Sequence, residues 1–86
     1  MGMALKLVQG SPKQAQIAIQ QLWHECKELR SQNNPAALDA KLHCCSLAIA
    51  YISVFGLDDP STTMILQRSK GLSEEIESFA KERGLI

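Results

Sequence analysis

The sequence lacks an excess of either charge: nine basic and nine acidic residues balance over 86 positions. With no long run of like charge it builds no positive field to collect phosphates or anionic lipid, which disfavours nucleic acid and charged membranes as partners. The first 43 residues carry five basic and three acidic side chains and the remainder four and six, an asymmetry too mild to name a partner. Long apolar runs are missing as well. The longest, Leu47 to Ile52, falls far short of the ~20 residues that span a bilayer, and the first residues show no charged-then-apolar signal pattern.

Cysteine is sparse and odd in number: Cys26, Cys44 and Cys45. The last two are adjacent on an expected helix, where side chains of neighbours point about 100° apart, so a disulfide framework is not expected. A reducing cytoplasm is the expected location. At 86 residues the chain is one small domain, of a size that buries only about 60% of its unfolded surface and gains from association.

Motifs that carry chemistry are also lacking. No glycine-rich phosphate cradle is present. Asp58-Asp59 falls in a turn and Glu74-Glu75-Glu77 on a charged helix face, so no carboxylate pair sits in an apolar stretch. His24-Glu25-Cys26 and His43-Cys44-Cys45 contain zinc's preferred ligand types. On a helix, however, His24 faces about 160° away from Cys26, and His43 and Cys44 likewise diverge. A nucleophilic cysteine needs a base within reach and an electropositive, partly open setting, and Cys44 beside His43 gains neither in the expected fold. The reading is therefore a non-enzyme, with no catalytic residue, cofactor or metal.

What the sequence does contain is helix punctuation. Its three prolines each follow a residue able to cap a helix: Ser11-Pro12, Asn34-Pro35 and Asp59-Pro60. Asn33, Gly56 and Gly84-Leu85 suit the left-handed turn that closes one. These marks predict an all-α, up-down-up three-helix bundle with helices at about 12–31, 35–55 and 60–83, joined by short linkers. The domain proper is 11–86, and residues 1–10 form an N-terminal arm, either extended or an added helical turn.

The three expected helices differ in pattern. In the first, Ala15, Ala18, Ile19, Leu22, Trp23, Cys26 and Leu29 share an arc of about 140°, with Ile17 alone on the far side. The second is apolar in almost every direction: Leu38, Leu42, Cys45, Ile49 and Ile52 one way, Cys44, Leu47, Ala48, Val54 and Phe55 another. Two neighbours in a three-helix bundle cover about half of such a circumference, so a further cover is expected. The third carries Ile65, Leu72, Ile76 and Phe79 on a narrow stripe, with Gly71 expected to bend it mildly.

The surplus apolar surface predicts a non-enzymatic protein-interaction module, an adaptor that self-associates as a homodimer through the second helix. The partner-binding residues are expected to be Trp23, Leu47, Tyr51, Val54 and Phe55, because aromatic and large apolar groups dominate such surfaces. The alternatives are a helical carrier or sensor with a small apolar ligand between the helices, and an accessory protein of chaperone or immunity type.

Leu47-Ala48-Ile49-Ala50-Tyr51, then Gly56 and a helix with Leu66-Gln67-Arg68, resembles the tetratricopeptide repeat, and Phe55 to Thr62 is similar to the connector of kinesin-light-chain-like repeats. The resemblance covers roughly residues 41–74. Tyr51 to Gly56 is one residue longer than the usual pattern, Pro60 occupies or adjoins the place of the small alanine, and no second copy at a period of about 34 is present. The resemblance implies a helical hairpin used for protein recognition, packed against something else.

Overall fold

The computed structural model describes residues 2–85; Met1 and Ile86, the outermost residues of the expected arm and domain, lie outside them. The chain folds into five helices, with no strand among the described residues: α1 (Gly2–Gly10), α2 (Pro12–Ser31), α3 (Ala37–Phe55), α4 (Pro60–Arg68) and α5 (Leu72–Glu82). This corrects the expected three-helix bundle in two places, the arm and the third helix.

The arm is helical. A nine-residue helix is marginal alone in water, so its stability comes from docking. Val8 is fully buried, Ala4 and Leu7 pack against the core, and α1 lies across both α2 and α3. It thereby covers part of the apolar circumference that two neighbours would leave open.

The expected third helix is split rather than bent. Gly71 adopts φ +90°, a left-handed conformation that other residues reach only with strain. The Ser69 amide still closes on the Ile65 carbonyl and the Leu72 amide on that of Ser69, after which α5 starts at Leu72. The corner is held from α2: the Trp23 indole Nε1 donates to the Lys70 carbonyl at 2.9 Å. A Cβ at residue 71 would stand 3.4 Å from the same ring.

The remaining punctuation is mixed. Asn33 and Gly84 take φ values of 55° and 71°, as expected of stop residues, whereas Gly56 ends α3 at φ 89° and ψ 160°, outside the left-handed turn expected there. Asp59 Oδ1 accepts from the Ser61 amide at 2.8 Å, capping α4. Asn34 Oδ1 accepts from the Ala36 amide, but residues 35–36 form a turn and α3 begins only at Ala37. Ser11 makes no side-chain cap.

The core lies mainly between α2 and α3. Ala15, Ile19, Trp23 and Cys26 of α2 meet Ala40, Cys44, Leu47, Ala48 and Tyr51 of α3, with Val8, Ile65 and Leu72 closing it from the other helices. α4 and α5 touch this platform more lightly than α1 does.

Candidate functional site

The five residues expected to bind a partner do not share one surface. Trp23, Leu47 and Tyr51 are buried within the chain, whereas Val54 and Phe55 are exposed, 39% and 36% respectively. Trp23 is engaged at the α4–α5 corner, with the Arg30 guanidinium 5.6 Å and the Lys27 ammonium 5.8 Å from its ring centroid. Arg30 also pairs with Glu75 of α5, and that hydrogen bond raises its pKa further.

Tyr51 sits in a hydrogen-bond chain whose direction can be deduced. Ser61 Oγ lies 2.6 Å from Asp59 Oδ1, and an ionised carboxylate only accepts, so Ser61 donates there. Tyr51 OH, 2.5 Å from Ser61 Oγ, must then donate to it and accept from Gln16 Nε2 at 2.9 Å. The chain runs Gln16, Tyr51, Ser61, Asp59, joining α2, α3 and α4. The bonds from Ser61 hold the Asp59 carboxyl below its ordinary pKa.

Below these residues the C-terminal end of α3 emerges from the fold. Val54 and Phe55 are followed by Leu57, which is 64% exposed in the α3–α4 connection. Phe55 stacks on Tyr51 with centroids 4.6 Å apart and so stands against the body of the protein. Beside them an apolar groove of about 380 Å³ runs between α3 and α5, lined chiefly by Ile49, Ile52, Leu57, Leu66, Ile76 and Ala80. Ser53, Ser73 and Glu77 supply its few polar groups. A wider, shallower depression of about 520 Å³ lies on the α1 side, between Met3, Leu7, Leu22, His43 and Leu47.

Neither Leu57 nor any residue on the α5 side of this groove is among the partner-binding residues expected from the sequence. The available signal was a leucine isolated in a turn between Gly56 and Asp58, where an apolar side chain has no helix face to join.

The cysteines lie inside. Cys26 Sγ is 3.6 Å from the Ala37 carbonyl and Cys44 Sγ 3.5 Å from that of Ile19, each as a weak donor filling the α2–α3 seam. Burial pushes the Cys44 thiol up to about 12 and the Cys45 thiol up to about 11, so both are protonated at neutral pH. Among the described residues no three His, Cys, Asp or Glu side chains are placed to hold a metal ion. His24 Nε2 lies 3.9 Å from Glu28 Oε1 on the exposed face of α2.

By length and composition α3 is apolar enough to cross a membrane, although it carries Asp39 and Lys41 in its first turns. No family model matches the chain, and neither a curated protein nor a solved structure does.

Proposed function

We propose that this protein is a non-enzymatic helical interaction module that self-associates in the cytoplasm through the C-terminal end of α3. The observation that carries the reading is the cluster of Val54, Phe55 and Leu57 beside the α3–α5 groove. Neighbouring exposed apolar groups of this kind support a contact surface on a small protein. The protonated, buried thiols and the balanced charge are consistent with a binding role without chemistry and without nucleic acid.

A charge placed in the patch is the test. Phe55→Glu and Val54→Glu each put an ionised carboxylate where association would bury it, and should return the particle mass measured by light scattering to the 9.5 kDa of one chain. Mass unchanged in both variants, with helicity preserved, excludes this face as the contact.

The groove volume favours a second reading, a small apolar ligand, because binding pockets commonly enclose about 300–1,000 Å³. A ligand stabilises the folded state by mass action, so melting temperature should then rise with apolar compounds rather than with protein concentration.

A further inference from the structure

We infer that the depression on the α1 side binds a single-chain amphiphile with a carboxylate head, a free fatty acid. This site lies apart from the end of α3 and does not depend on the self-association proposed above. Its lining is built from three helices: Met3 and Leu7 come from α1, Leu22 from α2, and the buried Leu47 from α3. Met3 is exposed and Leu7 and Leu22 are only partly buried, so apolar surface remains there for an alkyl chain to cover. The volume, about 520 Å³, lies in the range that holds one small ligand. A wide, shallow trough between helices suits a chain laid flat.

The charge of the site selects the head group. Lys6 and His43 alone interrupt the apolar lining, and no Asp or Glu is part of it. Neither side chain makes an ion pair among the described residues. The first turn of α1, where Met3 and Ala4 line the depression, carries no acidic side chain, so the positive end of that helix dipole adds to the same sign. An ammonium without a counter-charge, an imidazole N–H and an apolar floor together fit an anion with an apolar body. One permanent positive charge matches a monovalent carboxylate better than a divalent phosphate. The α3–α5 groove has the opposite character: its one ionisable lining group is Glu77, already held by Lys81 at 3.1 Å.

Titration calorimetry of the full chain with dodecanoate, kept below its micelle-forming concentration, tests the inference. Dodecyltrimethylammonium supplies the same chain with the opposite head, and acetate the head without the chain. Dodecanoate should bind one per chain, and each control at least about tenfold more weakly. Lys6 is exposed, so Lys6→Glu should keep the fold, checked by circular dichroism, and weaken dodecanoate by about tenfold, whereas Lys6→Arg should bind like the native chain. Amide chemical shifts should move in α1 and around Leu22 and Leu47. No binding of dodecanoate, equal affinity for the two head groups, or unchanged binding in Lys6→Glu overturns the inference. Shifts confined to the α3–α5 groove overturn it as well and assign the ligand to that groove instead.

Discussion

The indole nitrogen of Trp23 lies 2.9 Å from the carbonyl oxygen of Lys70, 47 residues away in sequence, and this contact fixes the corner between α4 and α5. The carbonyl is one that a broken helix would otherwise leave unpaired, and the ring closes the space above Gly71. Trp23→Phe keeps most of the apolar area and removes the donor. It should lower stability by about 1–2 kcal/mol in urea denaturation, with hydrogen exchange rising in α4 and α5 more than in α2 and α3. Loss spread evenly over all helices would mean that the bond does not hold this corner in particular.

Thr62 is 2% exposed and its hydroxyl has no hydrogen-bond partner among the described residues. Valine has nearly the same shape and no polar atom to desolvate, so Thr62→Val should be neutral or stabilising by up to about 1 kcal/mol. Chemical denaturation decides the sign. A clear loss of stability would show that the hydroxyl is bonded in solution.

Asp59 links pH to the same region. Its folded-state pKa lies below the ordinary value of 3.8 because it accepts from the Ser61 hydroxyl and amide. A depressed carboxyl contributes stability that is fully present above the unfolded value and lost as pH falls through the folded one. Native protein should therefore melt above Asp59→Asn at neutral pH, and the gap should close as pH drops below 3.8. A gap that persists at lower pH would assign the difference to something other than the ionised cap.

Much of the helix layout is legible in the sequence. Pro12 and Pro60 open α2 and α4, Asn33, Gly56 and Gly84 close helices with positive φ, and the buried stripe of α2 follows its 3.6-residue period. The break at Gly71 is not legible, because Ile65, Leu72, Ile76 and Phe79 form one continuous stripe across it. A mid-helix glycine fits a mild bend as well as a left-handed break, and the choice is made by a tryptophan on another helix. α1 escapes for a similar reason: Leu5 and Leu7 alternate like a strand, and the helix exists because Val8, Leu7 and Ala4 find a surface on α2 and α3.

The candidate site was half legible. An all-round apolar α3 correctly signals demand for more neighbours, and α1 meets part of it. Sequence cannot apportion the rest, since Tyr51 and Trp23 look like binding aromatics until their partners Gln16, Ser61 and Lys70 are brought to them by the fold. Val54 and Phe55 remain outside because α3 outruns its cover at that end.

Sedimentation equilibrium of the native chain over a dilution series in the micromolar range tests the central claim most directly. Self-association through the end of α3 predicts a mass of twice 9.5 kDa that falls toward one chain on dilution. A constant 9.5 kDa up to the highest concentration would contradict it.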